Sequence, residues 1–543
     1  MDNSLRMPYS TGYGEIDFVV RIVLKILNFV RFSVDYVSDI VFDWYYKGKH
    51  KKLPPIKNPL ILDPAHVLAE KIRRREIKSV DVVKAYIERI RQVHPIVNAI
   101  VDDRFSEAIE EARYIDESLK ESNKTEDEIA RETPFLGVPV TIKECIAVKG
   151  CLYTVGLPAR KGVRATFDAD VVHQMKQAGA IPIAVTITPE LCLWWESYNT
   201  LYGYCSNPYD TTRTAGGSSG GEGCILGSAG SVIGIGNDIG GSIRIPAAFN
   251  GVFGHKPTRG IVSNTGHYPT PAPSLQTFLM TGPMCRYASD LLPMTKVLAG
   301  NNSSKLKLDE KVNFREMKIY YMENEGGNPL VSAVNPEIIN AQKKVMEYFR
   351  DTYGIAPTKV QIPNMHHSFV MWSKVITTSG FKPITYEMTN RRGHADLFVE
   401  VFKWLIGVSD HIFPALLSAA VNKIWVPKDE KKASKYYEMM QNMEQHFENF
   451  LGEDGIFIYP TGSDLAPFHG QPVLKPFNVS YTCVFNLLGL PVTQCPVTLS
   501  RDGIPVGLQI VSGLYNDHLT IAVAEEIEKY FGGWVCPASE AFS

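Results

Sequence analysis

Serines set among glycines are the residues of this chain whose types and spacing could support covalent chemistry. The clearest case is Ser242 in GNDIGGSIRIP, residues 236–246, where two glycines come directly before the serine. A serine hydroxyl attacks a carbonyl carbon when a base takes its proton, and adjacent glycines let the substrate oxygen approach backbone N–H groups. Ser242 is therefore a candidate nucleophile, and the question is which residue acts as its base.

A histidine is a common base for a nucleophilic serine, but no motif here indicates one. Serine hydrolases of that kind carry GxSxG around the nucleophile, whereas Ser242 is preceded by Gly-Gly and followed by Ile-Arg. The chain has 13 histidines, of which His255 is nearest to Ser242 in sequence. A phosphate-binding loop is also disfavoured, because Gly234, Gly236 and Gly240 are spaced GxGxxxG and no P-loop lysine follows.

A lysine is the third type of base to consider, and Lys143 is the candidate. It follows the apolar segment 137–142, whose composition is typical of a buried strand. A lysine can accept a proton only as a neutral amine, a form that burial favours. Taken alone, Lys143 would be better explained as a solvated surface charge.

The spacing of three motifs gives Lys143 two partners. Ser218, within AGGSSGGE at residues 215–222, lies 75 residues after Lys143, and Ser242 lies 24 residues further on. Lys143, GGSSGG and DIGGSIR at these distances resemble the amidase signature family. The likeness extends over residues 60–535. The C-terminal segments that also carry it are 481–492 and 503–510.

That resemblance implies a fold and a mechanism. The fold would be α/β, a large mixed β-sheet covered by helices, and the reaction would be hydrolysis of linear amide C–N bonds without a cofactor or metal. Ser242 would be the nucleophile, Ser218 a proton relay that follows a cis peptide bond, and Lys143 the base. The oxyanion would be held by the N–H groups of Ile239, Gly240, Gly241 and Ser242. Asp238 and Arg244 are expected to be structural.

The substrate class depends on features outside these motifs. Residues 395–424 form a poorly polar pair of predicted helices that resembles the membrane-facing cap of fatty acid amide hydrolases, with a helical hairpin packed on the core as the alternative. The resemblance also makes Cys192, Leu193 and Trp194 candidate acyl-pocket residues. We therefore expect a fatty acid amide substrate, a long-chain primary amide or an N-acylethanolamine. The alternatives are a soluble small-amide amidase, an amidotransferase-type subunit, or a non-catalytic scaffold protein.

The N-terminal segment predicts an amphipathic helix that associates with a membrane. Between residues 17 and 43 polar residues recur every three or four positions and form one narrow stripe on an otherwise apolar helix. Charges interrupt the segment too often for a favoured transmembrane span, so we expect it to lie in the interface of an intracellular membrane or lipid droplet, with a single pass as the minor alternative. Packing on its own domain or on a second copy in a homodimer would also cover the apolar face. The lysines that could meet anionic head groups are Lys47, Lys49, Lys51 and Lys52.

The remaining chain supplies the elements that must position these groups. Prolines in residues 52–59 predict a linker, which divides the chain into an N-terminal anchor and linker at 1–55 and a catalytic domain at 56–543. Apolar residues between the glycines of 214–260 favour an ordered backbone. A net charge of −2 gives no reason to expect a nucleic-acid partner, and nine cysteines without a CxxC pair disfavour a zinc site.

Overall fold

An eleven-stranded mixed β-sheet forms the centre of the computed structural model, which describes residues 14–425 and 430–538. The strand order is β1-β3-β2-β6-β8-β7-β12-β13-β11-β9-β10, and β4 and β5 form a separate hairpin. The strands are β1 Ile100–Asp103, β2 Pro139–Lys143, β3 Ile181–Thr186, β4 Tyr198–Asn199, β5 Gly203–Tyr204, β6 Ile233–Asp238, β7 Phe253–Lys256, β8 Met280–Cys285, β9 Lys318–Tyr321, β10 Thr358–Lys359, β11 Gly455–Pro460, β12 Val492–Leu499 and β13 Pro505–Ser512.

Helices cover both faces of this sheet, as expected for a buried mixed sheet. Their bounds are α1 Gly14–Tyr46, α2 Ala65–Arg73, α3 Ser79–Val97, α4 Phe105–Glu121, α5 Glu126–Glu132, α6 Asp170–Gln177, α7 Gly220–Gly227, α8 Arg244–Phe249, α9 Leu291–Ala299, α10 Pro336–Tyr353, α11 Ser368–Thr378, α12 Ile384–Met388, α13 Leu397–Leu405, α14 Phe413–Trp425, α15 Glu430–Leu451, α16 Ser480–Leu488 and α17 Asp517–Phe531. The expected α/β class, with a large mixed sheet covered by helices, is confirmed.

Two parallel strands bring the motifs to one edge of the sheet. β6 pairs with β2 in parallel and with β8 in antiparallel register. Because the carboxyl ends of parallel neighbours lie at the same edge, Lys143 at the end of β2 meets the residues at the end of β6. Every residue of both strands is buried.

Close packing of α7 on β6 explains the glycines of this region. A Cβ at Gly234 would lie 1.9 Å from Oε2 of Glu222, and one at Gly236 would lie 2.9 Å from Oγ of Ser219. Glu222 also ties the helix to the sheet, accepting hydrogen bonds from the hydroxyls of Thr141 and Thr186 at 2.7 Å each. The glycine-serine region is therefore ordered, as the interleaved apolar residues predict.

The predicted linker is extended but not free of the core. Leu53 and Ile56 are buried, and the Arg89 guanidinium donates to the carbonyl of Pro54 at 2.7 Å. A proposed boundary near residue 55 therefore falls within a segment that lies against α3. The division into two domains stays a prediction.

The polar stripe of α1 faces the protein, and its apolar side faces outward. Asp39 accepts hydrogen bonds from Gln471 and from Lys475, the latter at 3.2 Å, and the Tyr46 ring stacks on Phe468 at 5.5 Å between centroids. The exposed apolar side chains of the helix include Phe29, Val30, Phe32, Tyr36, Val37, Ile40, Val41, Trp44 and Tyr45. The predicted amphipathic helix is confirmed. Its contacts with the rest of the chain involve Arg31 and Asp39 of the polar stripe together with Tyr46.

None of the helices within residues 14–425 and 430–538 combines the length and the apolar composition needed to cross a membrane. The single-pass alternative therefore has no support among these helices.

Candidate active site

Lys143 lies completely buried at the end of β2, where it contacts two polar groups. Its Nζ donates to Oγ of Ser218 at 2.6 Å and to Oδ1 of Asn237 at 2.7 Å. Burial without partners would be costly for an amine, and the two acceptors hold its position. The amine therefore points at the hydroxyl that the family resemblance assigns as the relay, and it is not a solvated surface charge.

Asn237 links this lysine to a histidine. Its Nδ2 lies 3.2 Å from Sγ of Cys145, to which it donates, and 3.3 Å from Nδ1 of His267. Burial lowers the pKa of His267 to about 3. His267 is therefore neutral at physiological pH, and its position beside Asn237 supports the amide rather than a serine.

Ser218 and Ser242 are brought together by the start of α7. The Ser219 N–H donates to the carbonyl of Ser242 at 3.1 Å, and the Gly217–Ser218 peptide bond is cis, as the resemblance implies. Ser218 is buried, while Ser242 is partly exposed. Among the described residues the Ser242 hydroxyl has no hydrogen-bond partner. This arrangement places Ser242 against the turn that carries Ser218 and leaves its hydroxyl available.

The backbone at residues 239–242, which we call the oxyanion loop, supplies fewer free donors than the four predicted. The Gly241 N–H donates to Oδ1 of Asp238 at 2.7 Å and is already occupied. No acceptor for the N–H groups of Ile239, Gly240 and Ser242 is present in the described part of the chain. These three N–H groups remain candidates to hold an oxyanion.

Asp238 and Arg244 form a fully buried ion pair beneath the oxyanion loop, with Nη2 of Arg244 3.0 Å from Oδ1 of Asp238. Burial opposes ionisation of Asp238, but Arg244 and Lys256 outweigh it and hold the pKa of its carboxyl well below the usual range. The guanidinium also donates to Oδ1 of Asn486 at 2.6 Å and to Oε1 of Gln509 at 2.9 Å. These contacts agree with the expected structural role.

A cavity opens beside Ser218. Its wall includes Cys192 and Leu193, both candidate acyl-pocket residues, whereas Trp194 lies outside it and packs against Trp195 at 6.5 Å between ring centroids. Most of the lining is apolar. The apolar lining residues are Leu191, Leu193, Ile239, Pro269, Pro271, Ala272, Leu275, Leu279, Phe381 and Ile384.

The histidine nearest to Ser242 in sequence is not part of this site. His255 is buried on β7, where Nδ1 lies 2.9 Å from the Thr493 hydroxyl and Nε2 lies 3.2 Å from Oδ1 of Asp517. Its role is structural. In the described segments no group of three histidine, cysteine, aspartate or glutamate side chains is placed to hold a metal ion.

Several residues of the site were not identified from the sequence. Asn237 stands directly before Asp238 in the motif that carries Ser242, and this position was the available signal. His267 and Phe381 come from segments without a motif and reach the cavity only through the fold. No local pattern marks them.

Comparisons with known proteins give the same family as the motifs. The Amidase family profile matches residues 81–521. Fatty-acid amide hydrolase 2 of Homo sapiens is 43% identical over 526 residues, covering 96% of this chain and 99% of that protein. Fatty-acid amide hydrolase 2-A of Danio rerio is 45% identical over 488 residues, covering 89% of this chain and 91% of the relative.

A solved structure of a fatty acid amide hydrolase has the same fold. It superposes with a TM-score of 0.71 at 22% identity and covers 91% of this chain and 89% of its own. At this identity the likeness concerns the fold alone.

Proposed function

The chain belongs to the amidase family, and we propose that it is a serine hydrolase that cleaves fatty acid amides to a fatty acid and an amine. The substrates would be long-chain primary amides or N-acylethanolamines. The observation that carries the proposal is the 2.6 Å contact between Nζ of Lys143 and Oγ of Ser218 at the wall of a largely apolar cavity. The names of the two fatty-acid amide hydrolase 2 relatives support the substrate class.

The mechanism begins with proton transfer along the three residues. Neutral Lys143 takes the proton of Ser218, Ser218 takes the proton of Ser242, and Oγ of Ser242 attacks the carbonyl carbon of the amide. Negative charge develops on the carbonyl oxygen, which accepts hydrogen bonds from the free N–H groups of the oxyanion loop. A tetrahedral intermediate results.

Collapse of that intermediate requires proton transfer in the opposite direction. An amine leaves poorly unless its nitrogen is protonated, so the proton held by Lys143 returns through Ser218 to the leaving nitrogen as the C–N bond breaks. An acyl ester on Ser242 remains. A water molecule then attacks the ester carbonyl, and the proton it gives up passes through Ser218 to Lys143 and returns through Ser218 to Oγ of Ser242 as that oxygen leaves. Breaking the ester C–O bond releases the fatty acid and restores the hydroxyl of Ser242.

The cap helices, α13 and α14, support entry of an acyl chain from a membrane. Phe398 and Leu405 on α13 are 84% and 68% exposed, whereas α14 buries Ala415 and Leu416 against the core. The segment between the two helices is tied to the cavity wall, because Nδ1 of His411 lies 2.5 Å from Oε1 of Glu190. Glu190 directly precedes Leu191 and Cys192, which line the cavity. The His411–Glu190 contact thus connects the exposed apolar surface of α13 to the candidate acyl pocket.

Turnover across acyl amides of increasing chain length tests the substrate class. Because each CH₂ group buried in an apolar cavity stabilises the complex by about 0.8 kcal/mol, kcat/KM should rise with chain length until the cavity is filled. Small amides of acetamide size should be poor substrates. Faster turnover of acetamide-sized substrates would contradict the proposal and favour the small-amide amidase.

We also propose that the outward apolar side of α1 binds the surface of an intracellular membrane or lipid droplet. Phe29, Phe32 and Trp44 are each more than 60% exposed, so their apolar area is available for burial in an interface. The alternative is that a second copy of the chain covers this side in a homodimer.

Flotation with phosphatidylcholine vesicles, with and without phosphatidylserine, separates these two occupants. The double variant Phe29→Lys, Phe32→Lys should lose vesicle binding, and Tyr114→Lys, which changes the equally exposed Tyr114 of α4, should retain it. Phosphatidylserine should strengthen binding through the lysines at residues 47–52. If the wild-type chain instead sediments as a dimer and does not bind vesicles, the homodimer explains the apolar side.

A further inference from the structure

We infer that Trp372 is a positioning residue for the oxyanion loop, an inference that rests on the proposed amide hydrolysis. Trp372 lies on α11, 133 residues away in sequence from the carbonyl it contacts. Its indole Nε1 donates a hydrogen bond of 2.7 Å to the backbone carbonyl of Ile239. In the described part of the chain no hydrogen bond joins Trp372 to Ser218 or Ser242, so we argue its effect on the reaction through the loop.

The geometry of a peptide unit explains what this hydrogen bond controls. In a trans peptide the carbonyl and the following N–H point in opposite directions, and the bond between Ile239 and Gly240 is trans. Holding the Ile239 carbonyl towards Trp372 therefore turns the Gly240 N–H away from α11. That N–H is one of the donors left free for an oxyanion.

The next peptide unit is held in the same way by a different side chain. The Thr482 hydroxyl donates to the carbonyl of Gly240 at 2.6 Å. The N–H of the same peptide unit belongs to Gly241 and donates to Asp238 at 2.7 Å. Each of the two glycine peptide units thus has its own side-chain donor. Only the unit that presents the Gly240 N–H depends on Trp372.

Contact between the indole and the loop leaves little room for a side chain at Gly240. A Cβ at Gly240 would lie 3.2 Å from Cζ2 and 3.5 Å from Cε2 of Trp372, which places the ring against the loop backbone. Trp372 is held by Phe369, at 5.9 Å between ring centroids, and Phe369 in turn packs on Phe477 at 5.1 Å. The indole is therefore fixed by packing before any substrate binds.

Fixed donors are the effective ones in an oxyanion hole, because they need no reorganisation as charge develops. Removing one such donor outright lowers kcat by about 100-fold to 1000-fold. Removing the group that orients a donor should cost less, about 10-fold to 100-fold, since the N–H remains and can still reach the oxyanion in part of the population.

Replacement of Trp372 by residues that lack the indole N–H provides the test. Trp372→Phe removes the N–H, and incorporation of β-benzothienylalanine at position 372 removes it while keeping the size of the indole. Two inhibitors are compared on each protein: a long-chain trifluoromethyl ketone, which forms an oxyanion on the serine, and the matching secondary alcohol, which does not. Trp534→Phe is the matched control, because its indole donates to the Gly227 carbonyl at 2.9 Å, outside the loop.

We expect both Trp372 replacements to weaken ketone binding and to lower kcat/KM in parallel by about 10-fold to 100-fold. Binding of the alcohol and KM should stay within about twofold, and the Trp534→Phe protein should match the wild type on every measure. Equal losses for ketone and alcohol would show that Trp372 only shapes the cavity and would overturn the inference. An unchanged ketone affinity would overturn it as well.

The rate of fluorophosphonate labelling separates this inference from the proposed substrate. Phosphonylation of Ser242 also places charge in the oxyanion loop, so labelling should slow in both Trp372 replacements whatever the natural amide is. If the wild-type chain is labelled but does not hydrolyse fatty acid amides, only the substrate class fails. If the wild-type serine is not labelled at all, both the nucleophile and the role of Trp372 are overturned.

Discussion

Nζ of Lys143 and Oγ of Ser218 lie 2.6 Å apart, although 75 residues separate them in the chain. The lysine is at the end of β2 and the serine is at the turn into α7, and both side chains are buried. The contact gives a buried amine a single short path to a hydroxyl, which is the connection that a relay requires.

Lys143→Ala should slow amide cleavage by at least about 100-fold and slow ester cleavage of the same acyl chain much less. The reason is that an amine must be protonated as it leaves, while an alcohol leaves more easily. Parallel kcat/KM measurements on an amide and an ester check this difference, with Lys149→Ala, an exposed lysine nearby, as the control. Equal losses on both substrates would contradict a role for Lys143 in protonating the leaving group.

Ser242→Ala should abolish covalent labelling by a fluorophosphonate, because the reagent reports the nucleophilic hydroxyl itself. Ser218→Ala should only slow labelling, since the nucleophile remains and loses its relay. Intact-protein mass spectrometry distinguishes the two results. Continued labelling of the Ser242→Ala protein would reject the assignment of the nucleophile.

His267→Gln should lower kcat by less than about 10-fold, well below the 100-fold or more expected for loss of an acid-base group. Burial keeps the pKa of His267 near 3, so the ring is neutral at working pH and does not gain or lose a proton there. The kcat/KM profile should accordingly show no change between pH 6 and 8 on replacement. Loss of a titration in that range would assign His267 as the base instead.

Cys192 should be alkylated by iodoacetamide with a midpoint near pH 6. A hydrogen bond from the Cys145 thiol outweighs burial and lowers the pKa of Cys192 to about 6. Since the thiolate is the reactive form, the rate should rise as pH rises through that value, against about 8.5 for an ordinary cysteine. Peptide mapping across pH measures it, with Cys192→Ser as the control, and a midpoint above pH 8 would contradict the assignment.

Asp238→Asn should reduce stability at pH 7 by about 3–5 kcal/mol, because it leaves the buried Arg244 without its counter-charge. Since the pKa of Asp238 is depressed in the folded chain, its contribution is complete above the unfolded pKa of about 3.9 and falls as pH drops below that value. Thermal unfolding at a fixed scan rate should therefore show a difference between wild type and variant that narrows below about pH 4.

Asp351→Asn provides the matched control, because Asp351 forms an exposed ion pair with Arg350 that contributes little. A difference between Asp238→Asn and wild type that is constant from pH 7 to pH 3 would show that the ionised carboxylate is not the stabilising group.

Local sequence patterns predict much of the fold and of the site. The apolar run before Lys143 predicts β2, and the structure places that strand at Pro139–Lys143. The motifs around Ser218 and Ser242 identify both serines through their resemblance to the amidase signature family. The glycines of this region also meet a local requirement, because Gly234 lets α7 approach β6. The three- to four-residue spacing of polar residues likewise predicts α1.

The tertiary structure decided which side chains are buried, which residues are in contact and which N–H groups are free. Trp372, His267 and Phe381 reach the site from distant segments with no local signal, since a contact between remote residues depends on how all the intervening elements pack. The family resemblance implied four oxyanion donors, and only the folded geometry shows that Asp238 occupies the N–H of Gly241. By itself the sequence determined which groups could react; the packing of the strands and helices decided which of them meet.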